Sequence, residues 1–140
     1  MTAINEWSPL KKVVVGIADN ARMPEVEDSH RYINHCDKAW RDIQVGPYSQ
    51  TVIDQANEDL NVMVKHLEAE GVEVVRPAVN DCEYYNYCPR DNVFHHGDIT
   101  IAAPMPVKPR RNEWKAFAHH LDNVIAVSYT HLTLPTNSSV

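Results

Sequence analysis

The chain has 140 residues, of which 44% are hydrophobic, so it has the size of one ordinary domain and enough apolar side chains for a core. Its formal net charge of −6 argues against a nucleic-acid partner, because proteins that bind the phosphate backbone usually present a basic face. No apolar run approaches the roughly 20 residues that cross a bilayer, and the N-terminus lacks a secretory signal pattern. We therefore predict a cytoplasmic protein without a membrane partner.

The three cysteines do not form a disulfide or zinc pattern. Cys36, Cys82 and Cys88 are odd in number and include no Cys-x-x-Cys pair, so we predict free thiols. Cys88 is a candidate nucleophile, but reactive cysteines need a positive or helix-N-terminal environment, and Pro89 follows it directly. A structural role is the favoured interpretation.

The first half of the chain predicts a β-α-β unit. Lys12–Gly16 is a short β-branched run typical of a buried strand, and residues 17–47 are predicted to be a long loop with one helical turn near residues 35–41. Apolar residues then recur at helical spacing from Gln50 to Glu70, with Ser49 as a cap and Gly71 as the stop. Val72–Arg76 reads as the second strand.

The second half predicts a hairpin, a short helix and another strand. Asp91–His95 and Asp98–Ala102 are predicted to pair across a tight turn at His96-Gly97. A short helix is expected at Glu113–His120 and an apolar strand at Asp122–Ala126. The fold class is therefore mixed α/β.

The final segment differs in its residue pattern from the rest of the chain. Residues 127–136 show neither a helical period nor the alternation of a strand. The DNA GTC TCT TAT ACA CAT CTG ACG CTG CCG ACG encodes these residues in order, and it resembles the adapter of transposase-based sequencing libraries. We predict that residues 1–126 are natural and that residues 127–140 are a translated adapter tail, with a natural polar tail as the alternative.

Asp91 is the candidate ligand-binding residue. A guanidinium is planar and permanently charged, so a protein that holds one needs a carboxylate placed to accept its hydrogen bonds. By itself, an aspartate at such a junction is more often a turn former or a salt-bridge partner. Arg90 either pairs with Asp91 or points to the opposite face.

The histidine pairs do not predict a metal site. His95-His96 lie in a predicted strand, where neighbours point to opposite faces, and His119-His120 lie in a predicted helix, where neighbours are about 100° apart. Neither pair converges on one ion, so no metal or cofactor is expected. The tyrosines at 84, 85 and 87 are predicted to pack against the loop that carries them, with ligand stacking as the alternative.

A set of motifs resembles one enzyme family. The matching residues, in order, are Asn5–Trp7, Pro9-Leu10, Val14–Gly16, Cys88–Asp91, a hairpin with Gly97, Ala103–Pro106, Arg110, Glu113, Trp114 and Ala116. This pattern resembles the arginine:amine amidinotransferases, which include glycine and inosamine-phosphate amidinotransferases. Two departures, Arg111-Asn112 in place of paired aromatics or Phe-Leu and Lys108 in place of arginine, leave the acceptor amine open.

The resemblance implies both a fold and a site. The fold would be a five-bladed α/β propeller of the pentein type, built from ββαβ modules and incomplete in this chain. The resemblance assigns Asp91 to the donor guanidinium, with Arg90, Met105, Arg110 and Glu113 in support. The nucleophilic cysteine and the catalytic histidine would lie downstream of this chain, so it would be an inactive N-terminal fragment with no catalytic residue of its own.

The implied reaction is covalent ping-pong transfer of the amidino group from arginine to an amine acceptor. Arginine and the amine would be the small-molecule partners, with a homo-oligomer as one option for the full-length protein. The alternatives are a guanidine hydrolase of the arginine deiminase type and a non-catalytic small α/β binding domain.

Overall fold

The computed structural model describes residues 5, 7–32, 42–79 and 82–127. The predicted helical turn near residues 35–41, Cys36 and all but the first residue of the predicted 127–140 tail lie outside these ranges. Seven strands and one α-helix are present in the described residues: β1 (Lys12–Val14), β2 (Arg22–Met23), β3 (Gly46–Pro47), α1 (Gln50–Ala69), β4 (Glu73–Val75), β5 (Val93–His96), β6 (Ile99–Ala102) and β7 (Val124–Ala126). Short 3-10 helices occupy Asp28–Tyr32, Pro89–Asp91, Lys108–Arg110 and Glu113–His120. The mixed α/β composition predicted from the sequence is confirmed.

The predicted β-α-β unit is present, and its two strands are parallel. β1 and β4 pair in parallel with Val13 opposite Val74, and α1 connects them. The helix buries Ile53 and Leu60, and Gly71 ends it with a φ of +78°, which glycine adopts without steric cost.

Two details of the first half differ from the prediction. Ser49 precedes α1, but its side chain forms no capping hydrogen bond; its carbonyl oxygen accepts from the N–H groups of Val52 and Ile53 instead. The predicted loop before α1 contains β2 and β3, which pair antiparallel with Met23 opposite Gly46. Strands of two residues are too short to show an alternating pattern, so sequence periodicity does not reveal them.

The second sheet contains three strands in the order β5-β6-β7. β5 and β6 are antiparallel, and β7 pairs in parallel with β6 after the 3-10 helix at Glu113–His120. The turn lies one residue later than predicted, because His96 pairs with Ile99 and Gly97, at φ +61°, begins the two-residue loop.

Backbone contacts join the two halves. The Ile17 N–H donates to the Asn86 carbonyl oxygen at 3.0 Å, and the Ala78 N–H donates to the Ala116 carbonyl oxygen at 2.7 Å. Next to these contacts, Phe117 is 1% exposed. The segment that carries Asp91 is therefore packed against the β-α-β unit.

None of the helices in the described ranges is long and apolar enough to span a membrane.

Candidate functional site

Asp91 lies in a backbone turn that is held at several points. It is the last residue of the 3-10 helix Pro89–Asp91, and not the first residue of a strand as the sequence predicted. Pro89 starts this turn with a fixed φ, and the Asp91 N–H donates to the Cys88 carbonyl oxygen at 3.2 Å. The next residue, Asn92, accepts from the Ala103 N–H at 2.8 Å. The backbone of Asp91 is thus anchored, while its side chain is 49% exposed.

Arg110 is the ion-pair partner of Asp91. Its Nη1 donates to Asp91 Oδ2 at 3.1 Å. Its Nε donates to both oxygens of Glu113, at 3.0 Å and 3.2 Å. The carbon at the centre of the guanidinium lies 4.7 Å from the centre of the Tyr85 ring, within the range of a cation–π contact. Arg110 is buried.

Glu113 ties further segments to this group. Its Oε2 accepts from Asn92 Nδ2 at 2.9 Å, and its Oε1 accepts from the backbone N–H of Tyr85 at 3.5 Å. Glu113 and Asn92 are 5% and 1% exposed. We refer to Tyr85, Asp91, Asn92, Arg110 and Glu113 as the Arg110 network.

Burial determines much of the electrostatics of this network. It raises the pKa of Glu113, and the hydrogen bonds from Asn92 and Arg110 oppose that rise only in part. Burial alone would lower the pKa of the Arg110 guanidinium, but Glu113, Tyr85 and Asp91 outweigh it, and the pKa is raised. Burial raises the pKa of Tyr85 to about 12. Arg110 is therefore charged and Tyr85 neutral at neutral pH.

The structure brings three of the sequence-predicted site residues together: Asp91, Arg110 and Glu113. Arg90 is exposed and forms no ion pair with any residue that the structure describes. Met105 is buried, and its carbonyl oxygen accepts from Arg111 Nε at 3.3 Å.

The sequence-based interpretation missed Asn92 and favoured loop packing for Tyr85, with ligand stacking as the alternative. Asn92 directly follows Asp91, but its distance in the sequence from Glu113 does not indicate that the two side chains form a hydrogen bond. Tyr85 contributes its backbone N–H and its ring face, neither of which a motif can encode.

The surroundings of Cys88 and His95 do not support a catalytic or metal-binding role. Burial, followed by the nearby Asp91 carboxylate, raises the pKa of the Cys88 thiol, so this thiol is protonated at neutral pH. The Thr100 hydroxyl lies 2.9 Å from His95 Nδ1, and burial lowers the pKa of that histidine. Within the described ranges, no three His, Cys, Asp or Glu side chains lie close enough to hold a metal ion.

The chain is similar to amidinotransferases in sequence and structure, as its motifs indicated. An inosamine-phosphate amidinotransferase from Streptomyces glaucescens is 31% identical over 145 residues, covering 94% of this chain and 42% of that protein. The mitochondrial glycine amidinotransferase of Xenopus laevis is 32% identical over 128 residues, covering 81% of this chain and 30% of that protein. No protein-family model matches the chain.

Solved structures show the same relationship. The inosamine-phosphate amidinotransferase of Streptomyces griseus superposes with a TM-score of 0.78 at 26% identity, over 90% of this chain and 42% of that one. An amidinotransferase of Microseira wollei from the saxitoxin biosynthetic pathway superposes with a TM-score of 0.67, also at 26% identity and over 90% of this chain and 41% of that one. The chain spans about 42% of the length of the first of these relatives.

Proposed function

We propose that this chain, similar to amidinotransferases over nearly its whole length, is the N-terminal part of an enzyme that transfers the amidino group of arginine to an amine. The observation that carries the proposal is the Asp91 carboxylate, which is half exposed on an anchored turn. An anchored carboxylate of this kind can accept hydrogen bonds from the guanidinium of a donor. Asp91 would then bind the substrate, and the protein would act in the cytoplasm on two small molecules.

The proposed parent fold is a five-bladed α/β propeller. Within this chain, β5 and β6 are followed by the 3-10 helix Glu113–His120 and then by β7. This order of strand, strand, helix and strand supports the proposed ββαβ module. In such a propeller the central cleft would be completed by residues beyond position 126.

The proposed reaction has two steps. A cysteine thiolate attacks the guanidino carbon of arginine, a sulfur–carbon bond forms, and the carbon–nitrogen bond to ornithine breaks as that nitrogen gains a proton. The amine acceptor then attacks the same carbon, loses a proton, and releases the thiolate. The attacking cysteine and the histidine that moves protons would come from outside this chain. No oxidation state changes, so the transfer requires no redox cofactor.

The test combines sequencing with an assay. Reading the source genome across codon 126 should show a frame that continues into a region supplying a histidine and a late cysteine. The complete protein, given arginine and a panel of primary amines, should release ornithine over many turnovers only when an acceptor is present, and at most one equivalent per enzyme without one. Citrulline formed without an acceptor would identify a hydrolase of the deiminase type instead.

A binding-only function makes a different prediction. The 140-residue chain would then bind arginine by itself, and calorimetry would show heats that Asp91→Asn abolishes. We expect no such difference for the chain alone, since the proposed cleft needs residues from the rest of the propeller.

A further inference from the structure

The two oxygens of the Asp91 carboxylate are in different situations. Oδ2 accepts from Arg110 Nη1 at 3.1 Å, whereas Oδ1 forms no hydrogen bond with any described residue. The side chain is 49% exposed. A carboxylate offers about four lone-pair positions, so Asp91 retains acceptor capacity while it is paired with Arg110.

The orientation of the Arg110 guanidinium is determined without Asp91. Nε is held by both oxygens of Glu113, and the central carbon of the group lies over the Tyr85 ring, 4.7 Å from its centre. Glu113 is itself held by Asn92. Because a guanidinium is planar and rigid, fixing Nε and one face also fixes the direction of Nη1.

These contacts are poorly suited to stability alone. A buried ion pair often contributes no more than apolar residues of the same volume, because both charges lose their hydration. In this network, Arg110 Nη2 and Asn92 Oδ1 are buried without a hydrogen-bond partner among the described residues, which adds a further cost. Arg110 is buried despite this cost in free energy, and it donates a hydrogen bond to the half-exposed carboxylate of Asp91. This combination is expected of a residue that positions Asp91.

We infer that Arg110 is a positioning residue for the donor: it holds Asp91 Oδ2 so that Oδ1 faces the guanidinium of the incoming arginine. This inference rests on the proposed function, because it assumes that Asp91 binds the donor. Lysine cannot replace Arg110, since a single ammonium cannot direct hydrogen bonds from a rigid fork to Asp91 and Glu113 together.

The experiment uses the complete protein and the variant Arg110→Lys, which keeps the positive charge. Calorimetric titration with arginine should show a dissociation constant raised about tenfold, the effect of weakening one charge-assisted hydrogen bond. In steady-state assays, KM for arginine should rise and KM for the acceptor amine should stay unchanged. A merely structural defect would lower the active fraction, and so kcat, without changing KM for arginine.

Arg76→Lys is the matched control. Arg76 Nη1 donates to Asn61 on α1 at 3.0 Å, so this variant makes the same chemical change away from Asp91 and should bind arginine as the wild type does. Asp91→Asn shows how much arginine affinity is lost when the carboxylate charge itself is removed, and it gives the reference for the Arg110→Lys effect. Arginine affinity within twofold of wild type in Arg110→Lys would overturn the inference.

If Arg110→Lys does not fold, the double variant Arg110→Met with Glu113→Leu removes both buried charges and keeps similar volumes. It should also bind arginine about tenfold more weakly, and unchanged affinity would again overturn the inference. Failure of the wild-type protein to bind arginine would instead reject the proposed function. The two failures are therefore distinguishable.

Discussion

The β-α-β unit and the Arg110 network are stabilised in different ways. In the β-α-β unit, α1 buries Ile53 and Leu60. Its ion pair, Lys12 with Glu73 at 2.6 Å, lies on the surface with the two side chains 32% and 62% exposed. In the Arg110 network, the buried groups are a guanidinium, a carboxylate and an amide.

The difference shows where specificity is needed. Apolar burial stabilises in proportion to area and tolerates many arrangements, so a helix can be held by a periodic stripe alone. Buried polar groups require particular partners at particular distances, because an unpaired one costs free energy. The network can therefore define the orientation of Asp91 in a way that the apolar core cannot.

The largest expected effect comes from removing the carboxylate at the centre of the network. Glu113→Ala removes the buried counter-charge of Arg110 and leaves its Nε without an acceptor, while Asn92 Nδ2 keeps only the Cys88 carbonyl oxygen, so we expect a loss of about 3–5 kcal/mol in the free energy of unfolding. Glu73→Ala is the matched surface variant and should cost at most about 1 kcal/mol. Urea unfolding measures the free energy of unfolding of both variants. Equal losses would mean that the buried Glu113 contributes no more to stability than the surface ion pair of Glu73.

The second prediction concerns the apolar unit. Leu60 is 7% exposed, so Leu60→Ala should lower the free energy of unfolding by about 2–5 kcal/mol through lost burial and a residual cavity. Met63 lies on the same helix but is 46% exposed, and Met63→Ala should change stability by about 0.5 kcal/mol or less. Equal effects from the two variants, again by urea unfolding, would contradict the assigned buried face of α1.

The third prediction tests the place where the two regions meet. A Cβ at Gly16 would overlap the carbonyl oxygen of Tyr87 and lie 2.6 Å from that of Asn86, so the loop leading to Asp91 would have to move. Gly16→Ala should destabilise the fold by about 1–3 kcal/mol. Gly97→Ala, in open space at φ +61°, should cost about 1 kcal/mol from backbone conformation alone.

Thermal unfolding of the two variants distinguishes the cost of steric overlap, at Gly16, from the cost of an unfavourable backbone conformation, at Gly97. A Gly16→Ala variant as stable as the wild type would show that the loop can shift freely.

The smallest predicted effect is a pH dependence. Burial raises the pKa of Glu113 above its ordinary value of 4.5, so the folded chain binds this proton more tightly than the unfolded chain. The stabilisation is present below pH 4.5 and is lost as pH rises through the folded-state pKa. Relative to Glu113→Gln, the wild type should therefore lose stability as pH rises above 4.5.

Urea unfolding of the wild type and of Glu113→Gln across this pH range gives the difference directly, since other titrating groups cancel. A relative gain by the wild type would mean that the pairing with Arg110 outweighs the burial of Glu113.

The sequence alone determined the elements that depend on local and periodic signals. The apolar spacing predicted a helix over residues 50–70, and α1 spans Gln50–Ala69. Gly71 marked its end, because a residue at φ +78° is most often glycine. The hairpin was predicted with its turn displaced by one residue. The motif that ends at Asp91 also indicated the resemblance to amidinotransferases, and the comparisons confirm it.

Only the tertiary structure decided what Asp91 contacts. Its partner is 19 positions away in the chain and lies on another short helix, and Asn92 reaches Glu113 across 21 positions. No periodic pattern connects such residues, because their meeting depends on how β6, the Tyr85 loop and the 3-10 helices pack. The sequence supplied the charged groups, and packing selected which of them are buried together, since a buried charge persists only where the fold provides its partners.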